Sequence, residues 1–383
     1  MNRSAQIKPP LRLTFIAGQL GLGGAEKQLY LLVRGLRRAG WQISVITLHS
    51  FQGDYWEGPL RELDVSVHGI GVDLPRLQRL LAIRSFLCRQ QAQIVHSWMM
   101  HANFYAAAAG RLSATPVRFG SERCNHHSSR ERLGHALYNM SLWGLDNLVA
   151  NSEPAAAFLR RYRPHLTISV VPNGVEIPAP LPNAEQKKRL RQVLGISPTA
   201  CVIGAVGSMT PRKNFAMLIN AVSLLSGQAT EIVLVLIGDG PLRADLERQA
   251  LSSLPKGRIL FTGALPNVGS WLPAFDLLCM PSFDQEGTPN VLMEASAVGL
   301  PVVATAIGGV PAIVDDGVTG FLAPSDDVHT LVERLRKLLV DSDLRRRLGQ
   351  AGREKMRGEF GVDAMVARMR RVYEETLAVK GLA

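Results

Sequence analysis

Short runs of β-favouring apolar residues alternate with helical patterns along the whole chain, and this alternation constrains the fold most. Helical patterns follow several of the runs, for example at residues 25–38 and 77–90. Runs that are apolar on both faces and joined by helices are typical of parallel sheets, because helices cover both sides of such sheets. In the front half, strands are predicted at residues 11–17, 43–48, 65–70, 92–97, 116–121, 147–152 and 168–173.

The pattern starts again after residues 176–186, a segment with three prolines that we interpret as a linker. A chain of 383 residues, 46% of them hydrophobic, is long enough for two cores. We therefore predict two doubly wound α/β domains, 1–180 and 181–360, and a final helix within 361–383 that packs back on the first. Five further strands are predicted at residues 201–207, 231–238, 258–263, 277–282 and 301–306.

The charge is uneven along the chain. The net charge is +11, and residues 1–183 hold 20 Lys/Arg against 11 Asp/Glu, whereas residues 184–383 hold 23 against 21. A basic front half favours phosphate-rich partners or an anionic membrane surface; general solubility is the alternative that the sequence leaves open. The absence of nucleic-acid motifs and of interleaved exposed aromatics argues against nucleic acid.

Cysteine usage and hydropathy point to a cytoplasmic protein. The four cysteines, Cys88, Cys124, Cys201 and Cys279, form no CxxC pair, which indicates a reducing compartment and gives no metal signal. No apolar run approaches the roughly 20 residues of a membrane span. The segment LRLTFIA after Arg3 and Lys8 is short, and we interpret it as a first strand rather than a signal peptide.

Two carboxylates, Glu286 and Glu294, bracket a predicted helix start in the stretch PSFDQEGTPNVLMEA. The helix is predicted to begin after Thr288, with Pro289 in its first position, where the missing N–H costs nothing. The N–H groups that follow suit a phosphate, and the two carboxylates suit sugar hydroxyls on either side. The alternative is a solvated loop acid and a helix acid favoured by the macrodipole. The ligand-binding residues predicted between the pair are Gly287, Thr288, Pro289, Asn290 and Val291.

The stretch resembles the signature of glycosyltransferase family 4, the retaining transferases of GT-B fold, in which E-x7-E precedes a small-residue run and G-x-P-V-V. Here Glu286 and Glu294 are followed by ASAVGLPVVAT. The resemblance covers nearly the whole chain in order, and the combination of motifs is more specific than any one of them. The other matching segments are GGAE (23–26), VHSW (95–98), ANSE (150–153), VPNGV (171–175), VGSMTPRKN (206–214), LIGDGP (236–241), GGVPAIVDDG (308–317) and TGFLAP (319–324).

The resemblance implies two Rossmann-like domains that face a central cleft, the first for the acceptor and the second for a nucleotide-sugar donor, UDP-linked. It implies transfer with retention and without a metal or other cofactor, with the leaving phosphate taking the acceptor's proton. A glycan or lipid-linked acceptor in cell-surface polysaccharide synthesis fits the basic front half, as does peripheral binding at the inner membrane face. The helix around 76–91, rich in leucine and arginine, is one candidate for that contact; packing on the sheet with its arginines in water is the alternative.

The family's residues carry over with departures, two of which concern the predicted site. Lys213 matches the lysine of G-R-L-x-x-x-K-N that neutralises the pyrophosphate, but Ser208 stands in place of the arginine, and Arg212 is the compensating candidate. Glu286 and Lys213 are the predicted catalytic residues, and Glu294, Ser208 and Arg212 bind the donor. Gly23 and Gly24 match the glycines that touch the donor phosphate or the acceptor. The loop does not complete G-x-G-x-x-G, because Glu26 occupies the last glycine position, so a dehydrogenase is disfavoured.

The second departure is the sugar-contacting histidine that many members carry after residues 117–121, which is absent here. His126 and His127 come later and are expected to be solvated. His96, Arg123 and Asn173 are predicted to lie near the acceptor. Two other functions stay open: a non-catalytic sugar-nucleotide or polysaccharide binder, and a sugar-nucleotide epimerase or a phosphorylase of the same fold.

Overall fold

A computed structural model describes residues 10–49, 54–71, 74–123, 142–225, 231–284 and 286–382. Arg3, Lys8, Cys124, His126 and His127 lie outside the described residues. The strands are β1 Arg12–Ala17, β2 Gln42–Thr47, β3 Ser66–Gly69, β4 Ile94–Ser97, β5 Val117–Glu122, β6 Asn147–Ala150, β7 Thr167–Val170, β8 Cys201–Val206, β9 Ile232–Ile237, β10 Ile259–Gly263, β11 Leu277–Met280, β12 Val302–Thr305 and β13 Gly320–Ala323.

Helices connect most of these strands, as the alternating pattern predicts. They are α1 Gly24–Arg38, α2 Glu57–Glu62, α3 Arg76–Arg89, α4 Asn103–Leu112, α5 Glu153–Tyr162, α6 Ala184–Val193, α7 Phe215–Leu225, α8 Arg243–Ser253, α9 Asn290–Ala297, α10 Val310–Ile313, α11 Val328–Val340, α12 Ser342–Lys355 and α13 Val362–Val379. Short 3₁₀ turns span Met100–Ala102, Pro211–Lys213, Val268–Ser270 and Leu272–Ala274, and Met356–Phe360 forms a π turn. None of the described helices combines the length and apolar character that a membrane crossing requires.

The chain forms two compact units, one of residues 1–174 with 362–383 and one of residues 175–361. The boundary therefore lies a few residues before the predicted one at 180, and ahead of the proline-rich segment. The final helix α13 belongs to the first unit, where Met365, Met369 and Tyr373 are buried in its core. Burial of each such large side chain is worth about 1.5–3 kcal/mol, so this packing fixes the helix to the first unit.

Both sheets are parallel throughout their described pairings. The first has seven strands in the order β3-β2-β1-β4-β5-β6-β7, and the second has six in the order β10-β9-β8-β11-β12-β13. Strands such as β9 are buried at every position, because helices cover both faces. In each sheet the order reverses beside the first strand, which is where ligands bind in doubly wound folds.

The sixth strand of the second sheet, β13, was not among the predicted strands. It is only four residues long and lies in the segment TGFLAP, whose apolar run is too short to indicate a strand by itself. Gly320 begins it because a Cβ there would approach the carbonyl oxygen of Val302 on the neighbouring strand to 2.6 Å. Close approach of two backbones thus explains the glycine of this motif.

Candidate functional site

In the second unit, the loops after β8 and β11 bring the predicted donor residues together. These two strands pair directly, so the segments that follow their carboxyl ends lie side by side. Lys213 ends the 3₁₀ turn after β8, and Glu286 lies between β11 and α9. The backbone N–H of Phe283 donates to the carbonyl oxygen of Arg212 at 2.8 Å and ties the two loops to each other.

Glu286 is a buried carboxylate at the centre of this group. Its Oε1 accepts hydrogen bonds from Lys213 Nζ at 2.5 Å and from Ser282 Oγ at 2.9 Å, and Arg212 Nη1 lies 3.9 Å from its Oε2. A buried carboxylate is tolerated only when it is paired and hydrogen-bonded, and here both conditions hold. The result is a fixed cluster of one anion and two cations, which we call the Lys213–Glu286 cluster (Arg212, Lys213, Ser282, Glu286).

The two cations differ in their surroundings. The Lys213 side chain is 11% exposed and contacts Glu286 directly, whereas Arg212 is 38% exposed and lies further away. The Ser208 side chain is exposed, and its carbonyl oxygen accepts the N–H of Thr210 at 2.8 Å. Arg212, not the residue at position 208, therefore supplies the second positive charge near Glu286. Ser282 was missed by the sequence analysis, although a polar residue at the end of a buried strand is a signal that could have found it.

Glycines hold the adjoining loop against this cluster. Gly238 has a φ of +141°, and a Cβ there would collide with the carbonyl oxygen of Gly207. The Met209 N–H donates to Asp239 O at 2.8 Å, and the Leu242 N–H donates to Met209 O at 3.0 Å. Because side chains cannot fit between the two loops, glycine is required where the backbones meet.

The helix that carries the second carboxylate begins later than predicted. The first residue of α9 is Asn290, and Pro289 occupies the N-cap with an extended ψ of 115° and no side-chain cap bond. The expectation that Thr288 is the N-cap and Pro289 the first helical residue is therefore wrong by one residue, because Pro289 keeps its extended ψ. Glu294 lies in the second turn and is partly exposed.

The remaining predicted residues of this stretch surround the start of α9. Gly287, Thr288 and Pro289 are buried, and Asn290 and Val291 are partly exposed. The N–H of Gly309 donates to the carbonyl oxygen of Glu286 at 3.0 Å and fixes the loop from the other side. Among the residues that the structure describes, no three His, Cys, Asp or Glu side chains come close enough together to hold a metal ion.

In the first unit, the glycine motif lies at the start of α1. Gly23 is the N-cap and, like Gly24, is exposed. A Cβ at position 23 would collide with Glu26 Oε2, so this side chain and Gly23 lie in direct contact. Burial raises the pKa of Glu26, with a smaller contribution from Asp54, and the nearby Arg123 opposes the shift.

Arg123 and Asn173 are brought together beside this helix. The Arg123 guanidinium stacks on the Trp98 ring, 3.4 Å from its centroid, and its Nη1 donates to Asn173 Oδ1 at 3.0 Å. Trp98 Nε1 in turn donates to the carbonyl oxygen of Ala25 at 2.6 Å, which ties the pair to the first turn of α1. Trp98 was not among the predicted site residues, although the VHSW segment placed it at a strand end. A guanidinium held in this way is pre-organised to bind an anion or a hydroxyl.

His96 does not lie where the sequence analysis expected it. The residue is fully buried, its Nδ1 lies 2.6 Å from Tyr373 Oη, and its Nε2 lies 2.8 Å from Ser121 Oγ. Burial, helped by the positive charge of Arg123, lowers the pKa of His96 to about 3. Both ring nitrogens are used within the core, so the expectation that the His96 side chain points into the cleft is wrong, and the residue joins α13 to the sheet.

Models of two known protein families match the two halves of the chain. The Glycosyltransferase Family 4 model matches residues 22–177, and the Glycosyl transferases group 1 model matches residues 186–355. The chain belongs to the group 1/family 4 glycosyltransferases. Its two parallel sheets are the two Rossmann-like domains of the GT-B fold, as predicted.

Individual relatives agree with this family. This glycosyltransferase is 28% identical over 267 residues, 65% of its length and 69% of the relative's, to a GDP-mannose-dependent alpha-(1-6)-phosphatidylinositol monomannoside mannosyltransferase of Mycolicibacterium smegmatis. It is 32% identical over 203 residues, 51% of each chain, to a 2-deoxystreptamine glucosyltransferase of Streptomyces kanamyceticus. HepE of Anabaena, solved in complex with UDP, shares the fold with a TM-score of 0.84 at 19% identity, over 95% of this chain and 100% of that one.

Proposed function

We propose that this chain is a retaining glycosyltransferase that moves a hexose from a nucleotide-sugar donor to a glycan or lipid-linked acceptor in cell-surface polysaccharide synthesis. The observation that carries the proposal is the Lys213–Glu286 cluster at the carboxyl edge of the second sheet. Two cations next to a helix start provide the positive field that a sugar diphosphate needs, and a buried carboxylate beside them can accept a sugar hydroxyl.

The donor proposed is a UDP-sugar. The UDP complex of HepE, which has the same fold, supports uridine, whereas the mannosyltransferase relative depends on GDP-mannose by its name. Both bases therefore belong in any donor screen. Glu294 in the second turn of α9 would accept ribose hydroxyls, and Ser208, Gly287, Thr288, Pro289, Asn290 and Val291 would line the rest of the donor site.

The proposed chemistry needs no metal, because the protein supplies the positive charge. As the bond to the leaving diphosphate breaks, negative charge grows on its oxygens, and the Lys213 ammonium and the first N–H groups of α9 stabilise it. We propose front-face attack, in which the departing phosphate takes the proton of the acceptor hydroxyl. Arg123 and Asn173 would bind the acceptor, and Gly23 and Gly24 would touch the donor phosphate or the acceptor.

Turnover of a donor panel tests this function. Purified protein is incubated with UDP-hexoses, UDP-N-acetylhexosamines and GDP-mannose together with lipid-extract acceptors, and release of the nucleoside diphosphate is measured. We expect one donor to be consumed only when acceptor is present, with the transferred linkage in the donor's anomeric configuration. Binding of a donor without turnover would instead identify a sugar-nucleotide-binding protein, and an altered nucleotide sugar without acceptor would identify an epimerase.

Glu294→Ala should weaken donor binding and activity while leaving the fold intact. Glu294 lies one helical turn after the first residue of α9, on the same helix face, and loss of a charge-assisted hydrogen bond costs about 1.5–3 kcal/mol. The expected change is therefore about a 10- to 150-fold rise in the donor Kd, measured by titration calorimetry. Glu333→Ala on α11 is the control for loss of a helix carboxylate. An unchanged Kd for every accepted donor would remove Glu294 from the site.

We further propose that the first unit docks on an anionic membrane through α3. The inner face of this helix is buried, whereas Leu77 and Leu81 on its outer face are 67% and 50% exposed. Arg84, one turn after Leu81, is also exposed and extends this outer stripe of side chains. Arg84 Nε donates to the carbonyl oxygen of Leu112, which keeps the stripe against α4. Exposed leucines among arginines are what an interfacial helix presents to acyl chains and anionic headgroups.

Vesicle sedimentation tests this docking. We expect reversible binding to phosphatidylglycerol vesicles at low salt and loss of binding at high salt, because the attraction fades within a Debye length of about 8 Å at physiological ionic strength. Binding to neutral vesicles should be weak. Arg79→Glu with Arg84→Glu should reduce binding, whereas Arg38→Glu with Arg161→Glu makes the same change in net charge on α1 and α5 and should reduce it less. No binding at low salt would exclude a membrane role and favour a soluble acceptor.

A further inference from the structure

The second unit contains a basic cavity at the edge of its sheet opposite the Lys213–Glu286 cluster. The cavity has a volume of about 430 Å³ and lies where β8 and β11 begin, since Cys201 and Asp276 line it. Lys213 and Glu286 follow the other ends of the same strands. A six-residue strand such as β8 is about 20 Å long, so the cavity is separate from the proposed donor site.

One face of α6 forms a wall of the cavity. Ala184, Lys187, Lys188 and Arg191 all line it, and their spacing places them on the same side of the helix. Arg345 at the start of α12 lines the same space. Four basic side chains on one cavity are unfavourable unless negative charge compensates them, because like charges one turn apart destabilise a helix.

Among the described residues that line the cavity, one carboxylate compensates part of this charge. Asp276 accepts hydrogen bonds from Lys187 Nζ at 2.6 Å, from Arg191 Nη2 at 2.6 Å and from the Val202 N–H at 2.7 Å. Burial opposes its ionisation, but the two cations and the N–H lower its pKa overall. The single negative charge of Asp276 is thus shared by Lys187 and Arg191. It cannot also neutralise the other two basic side chains of the cavity.

Those two bases, Lys188 and Arg345, pair with no carboxylate in the part of the chain that the structure describes. Arg191 is buried and bonded through all its nitrogens, whereas among the described residues Arg345 bonds through Nη1 alone, to the carbonyl oxygens of Leu338 and Leu339. Within the described ranges, the Lys188 amine has no hydrogen-bond or ion-pair partner. A concave space with surplus positive charge favours an anion over water or a neutral sugar.

We propose that this cavity binds a small polyanion that bears a phosphate or pyrophosphate group, held by Lys188 and Arg345 and supported by Lys187. The volume accommodates such a group with part of a sugar or nucleoside attached. Because the site lies at the opposite strand ends from the proposed donor site, it can be occupied together with the donor. The inference does not depend on the proposed transferase activity.

Titration calorimetry of the full chain with sodium pyrophosphate at low ionic strength tests the proposal. We expect the wild type to bind one equivalent in this cavity and a further one at the Lys213–Glu286 cluster. Lys188→Glu should weaken the first equivalent at least tenfold without changing transferase turnover, and Arg345→Gln should weaken it in the same direction. Lys256→Glu, an exposed lysine of the same unit away from the cavity, should leave both equivalents unchanged.

The variants separate this site from the donor site. Lys213→Ala should remove only the pyrophosphate equivalent bound at the Lys213–Glu286 cluster. If Lys213→Ala abolishes all pyrophosphate binding while Lys188→Glu changes nothing, the cavity proposal is wrong. Equal weakening by Lys188→Glu and Lys256→Glu would show a non-specific charge effect and also overturn it. Binding that Lys188→Glu removes and Lys213→Ala does not would support the cavity and count against the proposed donor site.

Discussion

Lys213→Ala is expected to lower kcat by about 10²- to 10³-fold, the usual cost of removing one group that stabilises transition-state charge. The Lys213 ammonium is nearly buried and held 2.5 Å from Glu286 Oε1, so in the proposed reaction it would need no reorganisation when charge develops on the leaving phosphate. Arg212→Ala should cost less, because this side chain is more exposed and 3.9 Å from the same carboxylate, where solvent screens its charge. The measurement is steady-state kinetics with the donor identified by the panel.

The two variants also decide which cation takes the place of the family's arginine, which is Ser208 in this chain. An equal or larger loss in Arg212→Ala would mean that the arginine has taken the phosphate role, and Lys213 would then mainly stabilise Glu286. Glu286→Gln, alone and combined with Lys213→Ala, closes a double-mutant cycle that measures their coupling. Lys256→Ala is the control for loss of a lysine in the same unit. Lys213→Ala removes the lysine partner of the buried Glu286 and leaves it beside Ser282 and Arg212. Circular dichroism of each variant therefore checks that the protein is still folded.

The layered fold could be predicted from the sequence because its signals are local and repeated. Most buried strands are marked by an apolar run, and the helix predicted within residues 361–383 is present as α13. The strand β13 could not be predicted, since four residues carry too little periodicity and its pairing with β12 depends on the whole sheet. The same holds for the start of α9, where the backbone geometry of Pro289, not propensity, sets the boundary.

The proximity of Glu286 and Lys213 could be predicted better than the surroundings of His96, for a physical reason. Glu286 and Lys213 follow adjacent strands of a parallel sheet, so topology alone brings them together. The contacts of His96 and Trp98 depend on side-chain directions, which sequence does not reveal. His96 and Trp98 are two residues apart around the end of β4, yet the histidine contacts Tyr373 in the core while the indole stacks on Arg123.

The buried position of His96 leads to the second large effect, a loss of stability of the first unit in acid. Its pKa is about 3 in the folded chain and about 6.5 in an unfolded one, so above pH ~6.5 the residue is neutral in both states and stability is complete. As the pH falls below ~6.5, the unfolded chain binds a proton that the folded chain does not. Stability then falls by up to about 1.4 kcal/mol per pH unit, about 5 kcal/mol in total by pH ~3.

Urea unfolding between pH ~7 and ~4.5 measures this loss. Four of the five tryptophans, Trp41, Trp56, Trp98 and Trp143, lie in the first unit, so fluorescence of a Trp271→Phe background reports on that unit alone. His96→Gln should be less stable at neutral pH but should lose most of the pH dependence, whereas His165→Gln, at an exposed position, should keep it. His101 also contributes to the loss of stability in acid, because burial and the nearby His49 lower its pKa. The variant His101→Gln measures its share. Of the carboxylates, Glu26 partly offsets the loss, because burial raises its pKa and the folded chain takes up its proton first as the pH falls. Asp146 does not interfere. Burial opposes ionisation of Asp146, but hydrogen bonds from Arg118 and Lys380 lower its pKa overall, so it takes up protons only at lower pH. An identical slope in the wild type and His96→Gln would mean that His96 is protonated in the folded chain, contrary to its buried bonds to Tyr373 and Ser121.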